Sequence, residues 1–166
     1  MNPPVETVTQ VTVRIDGADV TVGEGATILD ACTQRGIDTP TICYAENLTP
    51  VNACRVCVVE VEGNRTLIPS CSRPAEDGME ILTDSDRVRH SRKMVLEFLG
   101  TANDLSEAPK INEWSSEYGV DTGRYVEGAE RFDQPVKIQD NLYIRDYDKC
   151  VLCYKCVDAC GEEAQF

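Results

Sequence analysis

The chain has 166 residues, 42% hydrophobic and 27% charged, a balance that suits one ordinary globular domain or two small cofactor-built ones. Its net charge of −13 repels phosphate backbones, so no nucleic acid is expected as a partner, whereas a basic protein surface would be steered toward it. No apolar run approaches the roughly 18 residues of a membrane-crossing helix, and the opening MNPPVETVTQ has neither the basic stretch nor the apolar core of a leader, so a cytoplasmic protein with no direct membrane span is expected.

From Gln10 to Asp16, QVTVRID alternates apolar and polar residues as a half-buried strand does, Gly17 and Ala18 turn, and VTV at 20–22 returns as a second strand. ATILDACTQRGI follows with Ile28, Leu29 and Cys32 at helical spacing and Gly36 as its stop. Cys32 on that apolar side reads as a small core hydrophobe. Residues 41–57 read as an irregular loop holding three cysteines. CVVEVEG at 57–63 alternates again, and TLIP and MEILTD are short strand candidates. At Thr83 the pattern changes: TDSDRVRHSRKMVLEFLG is the clearest helix, capped by Thr83 or Ser85 and ended by Gly100. A short helix is predicted near INEWSSEYGV, with Trp114 as its anchor. His90, the single histidine, falls inside the long helix with no cysteine near it and reads as a solvated helix residue.

Nine cysteines are many for a reducing compartment, and their odd number fits disulfides poorly, so metal binding is the better reading. Cys43, Cys54, Cys57 and Cys71 follow one another with ten, two and thirteen residues between them. Four such thiolates on a loop and a neighbouring strand suit two irons bridged by sulfides, with loop amides tuning the sulfurs. A four-cysteine zinc site remains open on spacing, although many zinc sites use two close pairs and this set has one. In the tail, Cys150, Cys153, Cys156 and Cys160 stand with two, two and three residues between them, the bacterial ferredoxin run whose fourth cysteine serves the other cluster of a two-cluster domain. Cys150, Cys153 and Cys156 are therefore expected to hold a [4Fe–4S] cluster lacking its fourth ligand, and Cys160 to belong to a second cluster or to be recruited to the first. Gly161 stands where the run usually has proline. The tail is expected to be the first half of such a domain, and the chain a fragment of a longer one.

GIDTPTICYAENLTPVNACRVCVVEVEG resembles the N-terminal ferredoxin domain of a family that includes the large iron–sulfur subunit of NADH:quinone oxidoreductase, the alpha subunit of NAD-dependent formate dehydrogenases and iron-only hydrogenases. YIRDYDKCVLCYKCVDACGEEAQ resembles the segment that opens the family's two-[4Fe–4S] domain. The resemblance implies a β-grasp domain whose [2Fe–2S] ligands are Cys43, Cys54, Cys57 and Cys71. Many relatives also bind a [4Fe–4S] cluster through one histidine and three cysteines after the long helix. No cysteine stands between Cys71 and Cys150 here, so that cluster is expected to be absent.

The expected fold class is α+β: a β-grasp [2Fe–2S] ferredoxin-type domain over residues 1–83, a helical linker over 84–142, and the start of a bacterial-type [4Fe–4S] domain over 143–166. Tyr143, Arg145 and Tyr147 are expected to position the tail loop. The expected function is electron transfer as the N-terminal part or a subunit of a larger formate dehydrogenase-like or NADH dehydrogenase-like oxidoreductase. Its partners would be a flavin- or NAD-binding redox subunit and a downstream catalytic domain or subunit. No phosphate-binding glycine loop or catalytic constellation is present in the sequence. The alternatives are a stand-alone ferredoxin-type carrier and a zinc-stabilised interaction module.

Overall fold

The computed structural model describes residues 9–129 and 134–164, apart from the side chains of Glu162 and Glu163; most of the opening stretch read for a leader lies outside them. The chain divides into two compact units, Met1–Thr41 with Cys57–Val88 and Ile42–Val56 with Arg89–Phe166.

The first unit is a mixed five-stranded sheet covered by one helix. Strands β1 (Gln10–Ile15) and β2 (Ala18–Gly23) form the predicted hairpin. Its turn is Asp16–Gly17 rather than Gly17–Ala18. Both residues take positive φ, 48° and 81°, the two-residue turn whose twist matches that of the strands. The Asp16 carboxylate then accepts from the Thr83 amide at 2.9 Å and the Thr83 hydroxyl at 2.6 Å. Thr83 is thereby used, and Ser85 is the residue that caps the long helix, accepting from the Val88 amide at 3.3 Å.

Helix α1 (Ile28–Gln34) starts at Thr27. The Thr27 hydroxyl accepts from the Asp30 amide at 3.1 Å, while Asp30 accepts from the Thr27 amide at 2.7 Å, a reciprocal cap. Gly36 stops the helix with φ of 76°. Strands β3 (Val58–Val61), β4 (Ile68–Pro69) and β5 (Glu80–Leu82) complete the sheet in the order β2-β1-β5-β3-β4, with β1 and β5 parallel and the other neighbours antiparallel. Val13, Ile15, Val20, Val22, Val59 and Ile81 point to one face, where Ile28, Ala31 and Cys32 of α1 meet them. This helix-on-mixed-sheet arrangement is the β-grasp architecture, and Cys32 is fully buried in its core.

The second unit is mainly helical. Helix α2 (Asp86–Ala102) contributes most of its length here, followed by α3 (Pro109–Glu117). Ile42, Val56, Leu96, Ile111, Trp114 and Tyr118 form its core, so Trp114 anchors the short helix as expected. Helix α2 does not end at Gly100. Gly100 keeps helical backbone, and a Cβ there would lie 2.7 Å from Thr122 Cγ2, so glycine serves close packing rather than termination. The end comes at Asn103, whose amide and side chain both donate to Leu99 O, at 2.9 and 3.2 Å. Glu97 is fully buried on α2, near Arg124 at 3.4 Å and Lys93 at 3.8 Å. His90 is exposed on the same helix. After α3 come a small hairpin, β6 (Lys137–Ile138) with β7 (Ile144–Arg145), a 3₁₀ turn (Tyr147–Lys149), and α4 (Lys155–Asp158) running into a π turn (Ala159–Glu163).

Replacing Thr27 by Ala removes half of the reciprocal cap. The expected loss is about 1 kcal/mol of unfolding free energy by denaturant titration.

Candidate metal centres

The β-sheet positions one thiol pair. Val58 pairs with Pro69 across β3 and β4, so Cys57 and Cys71 flank the same end of that ladder. The Ser70 amide and hydroxyl both donate to Cys57 O, at 3.2 and 2.8 Å, and the Cys57 and Cys71 sulfurs stand 3.4 Å apart. Both cysteines are buried. The bond to Cys71 pulls the Cys57 thiol down to about 6, against the opposing effect of burial, with the Cys71 and Ser70 amides helping. The thiolate is the form of cysteine that binds metal.

The loop 42–56 in the second unit positions the other pair. Cys43 and Cys54 have sulfurs 3.3 Å apart, and the Cys54 amide donates to Cys43 Sγ at 3.5 Å. Burial pushes the Cys54 thiol up, partly offset by the amides of Val56, Cys43 and Ile42. Asn52 and Arg55 take left-handed backbone, with φ of 59° and 58°, and so bend the chain on both sides of Cys54.

All described cysteines are free thiols, and separations of 3.3–3.4 Å are far from the roughly 2.05 Å of a disulfide. They lie nearer the roughly 3.8 Å between two thiolates on one tetrahedral ion with 2.3 Å bonds. Each unit thus holds one close thiol pair, Cys57 with Cys71 in the first and Cys43 with Cys54 in the second. Among the described residues no three His, Cys, Asp or Glu side chains gather around a single point.

The tail set is more open. Cys150, Cys156 and Cys160 are exposed, while Cys153 is half-buried against the core of the second unit. Leu152 and Tyr154 flank Cys153 with φ of 51° and 62°. Left-handed residues coil a short run tightly, and turns of this kind aim successive amides at anionic groups, as around many iron–sulfur sites. The run is held at its base by Lys149, whose Nζ donates to Asp104 at 2.8 Å and to Ser106 at 2.5 Å. That ammonium holds the Asp104 carboxyl well below the usual carboxylate range. The Asp104 amide also donates to Asp148 O at 2.8 Å. Arg145 donates to the Tyr143 hydroxyl at 2.8 Å and stacks on its ring, and Lys137 lies over the Tyr147 ring, so all three residues expected to position the tail loop are engaged with the hairpin before it.

Both cysteine loops of the second unit line one apolar groove of about 420 Å³. Its walls include Cys54 and Arg55, Phe98 and Leu99 of α2, and Val151 and Leu152 of the tail. The Thr49 amide, in the loop between Cys43 and Cys54, donates to Asp158 Oδ2 at 3.1 Å. Sequence reasoning named eight ligand candidates and missed this tie, the Lys149 clamp and the left-handed residues. Arg55, Leu152 and Tyr154 carry no glycine or asparagine signal, because tertiary packing imposes their conformation.

Comparison with known proteins finds two iron–sulfur domains in this chain. Residues 8–86 match a 2Fe-2S iron-sulfur cluster binding domain and residues 143–165 a 4Fe-4S binding domain. A NADP-reducing hydrogenase subunit from Solidesulfovibrio fructosivorans is 40% identical over 90% of this chain and 27% of its own length. The NADH-ubiquinone oxidoreductase 75 kDa subunit of Reclinomonas americana is 36% identical over 93% of this chain and 23% of its own. The NADPH-Fe(3+) oxidoreductase subunit alpha of Geobacter sulfurreducens is 32% identical over 89% and 18%. The chain thus spans about a quarter or less of these relatives. A chain of a NAD+-reducing [NiFe]-hydrogenase crystal structure has the same fold, with a TM-score of 0.76 over 93% of this chain and 68% of that one at 23% identity.

A β-branched residue strongly resists left-handed backbone, whereas glycine adopts it freely. Arg55→Val is therefore expected to lower iron bound per chain after anaerobic reconstitution, while Arg55→Gly retains the parent's content.

Proposed function

Since the chain belongs to the family whose N-terminal iron–sulfur region is shared by the large subunit of NADH:quinone oxidoreductase and by NADP-reducing hydrogenase, we propose that it is the electron-entry portion of an NAD(P)H-linked oxidoreductase or hydrogenase. Iron–sulfur electron transfer is the shared activity of this region, through a 2Fe–2S centre within residues 8–86 and a 4Fe–4S motif within 143–165. The observation that carries the ligand assignment is the pair of thiol–thiol approaches at 3.3 and 3.4 Å. Cys43 and Cys54 would hold one iron, and Cys57 and Cys71 the other. In the tail, Cys150, Cys153 and Cys156 would hold a cubane cluster, with Cys160 directed to a second cluster or recruited to the first.

Bound there, these clusters supply one-electron carriers, with plant-type [2Fe–2S] centres at roughly −400 mV, low enough for nicotinamide-linked chemistry. The residues of this chain gather and orient thiolates, turn loop amides toward sulfur and keep the Cys57–Cys71 pair out of water. Substrate chemistry belongs to another domain or subunit, and the electron donor is a flavin- or NAD-binding partner. The names of these relatives point to the NAD(P)H-linked and hydrogenase branches. The domain organisation that fits is a ferredoxin-type region at 1–83, a linker at 84–142 and a ferredoxin-type half-domain at 143–166. Among the described residues no helix is long and apolar enough to cross a membrane, which is compatible with action in the cytoplasm.

Iron and acid-labile sulfide content, with EPR of the dithionite-reduced protein, tests the assignment. Serine at Cys43, Cys54, Cys57 or Cys71 should each abolish the [2Fe–2S] signal, whereas Cys32→Ser should keep it. A signal that survives Cys71→Ser, or a colourless protein carrying zinc, would overturn the reading.

A further inference from the structure

Asp158 sits in the tail run between Cys156 and Cys160, yet its side chain is spent on the other cysteine loop. Its backbone is placed by Tyr154, whose left-handed conformation opens α4 and whose carbonyl accepts from the amides of Val157 and Asp158, both at 3.0 Å. From that position Asp158 Oδ2 accepts the Thr49 amide at 3.1 Å. Thr49 lies midway along the stretch between Cys43 and Cys54, which contains no helix or strand. Five residues on, the same loop reaches Cys54, which lines the apolar groove together with Val151 and Leu152 of the tail.

We propose that Asp158 is a positioning residue for the two-iron centre, making the tail cysteine run part of the support of the loop that presents Cys43 and Cys54. The inference rests on the assignment of those two cysteines as ligands. A loop of ten residues between two ligands has many conformations to lose before both sulfurs can face one iron. A carboxylate that fixes its midpoint amide removes much of that freedom. The half-buried placement of Asp158 and the solvent exposure of Thr49 keep the tie modest, on the scale of a single bond. In physical terms the two cysteine runs, a hundred residues apart in the chain, are coupled at their loops: what displaces the tail helix loosens the grip on Cys43 and Cys54.

The test compares the full reconstituted chain with Asp158→Ala and Asp158→Asn. Asparagine keeps a side-chain oxygen to accept the Thr49 amide, and alanine keeps none. Two rates are read: hydrogen exchange of a peptide spanning residues 45–53 by mass spectrometry, and decay of the [2Fe–2S] EPR signal in excess chelator. Asp158→Ala is expected to speed both by about five- to tenfold, the factor for one hydrogen bond of ordinary net strength. Asp158→Asn is expected to stay within about twofold of the parent, since a neutral acceptor keeps much of the bond. Parent-like rates in Asp158→Ala, or equal acceleration in both variants, would overturn the proposal. Iron content of the parent separates the two ideas. A parent that loads no two-iron centre defeats the ligand assignment, whereas a loaded parent with an indifferent Asp158→Ala defeats this inference alone.

Discussion

Thiols bind iron as thiolates, and thiolates held a few ångström apart repel one another. A protein that offers several of them must therefore hold them in place by forces other than their own attraction. Here that work is divided. At Cys57 and Cys71 the β3–β4 ladder does it: the strand register sets the separation, and Ser70 seals it with two donors to Cys57 O. Both cysteines of this pair are buried. At Cys43 and Cys54 no strand is available, and the restraint comes from left-handed turns at Asn52 and Arg55, an amide-to-sulfur bond, and the packing of Ile42 and Val56 into the helical core.

The tail solves the same problem with less burial. Left-handed backbone at Leu152 and Tyr154 costs about 1–2 kcal/mol each for residues with a Cβ. Such strain persists where the surroundings over-determine it and tends to gather at functional loops. Lys149 supplies part of that determination from the base of the run through Asp104 and Ser106, both on the segment after α2. The helical part of the second unit is therefore the platform on which the tail loop is built. Its interior is polar as well as apolar, with Glu97 fully buried among Arg124, Lys93 and the Asp121 amide, and Arg92 donating to the Tyr118 hydroxyl at 2.8 Å.

The hairpin 10–23, α1, α2, α3 and the three later strands were legible because each carries a local signal: alternation for strands, apolar spacing with a cap for helices. The exceptions are instructive. Gly100 reads as a stop, yet it lies in helical backbone, and a Cβ there would meet Thr122, a residue 22 positions away. Thr83 reads as a cap, yet Asp16 claims its amide and hydroxyl across the sheet. Strands β6 and β7 are two residues each, too short for any period to show.

By itself the sequence determined which sulfurs are on offer as iron ligands and how they are grouped along the chain, because cysteine spacing is a one-dimensional property and sulfur is the ligand the chemistry demands. It also determined the β-grasp order of elements through hydrophobic period. The tertiary structure decided how the first four cysteines pair, Cys43 with Cys54 and Cys57 with Cys71, although Cys54 and Cys57 are the nearest neighbours in the chain. It also decided that Asp158 and Thr49 meet. Those outcomes depend on strand register, on left-handed backbone at residues with side chains, and on packing between segments far apart in the chain, none of which a local pattern encodes.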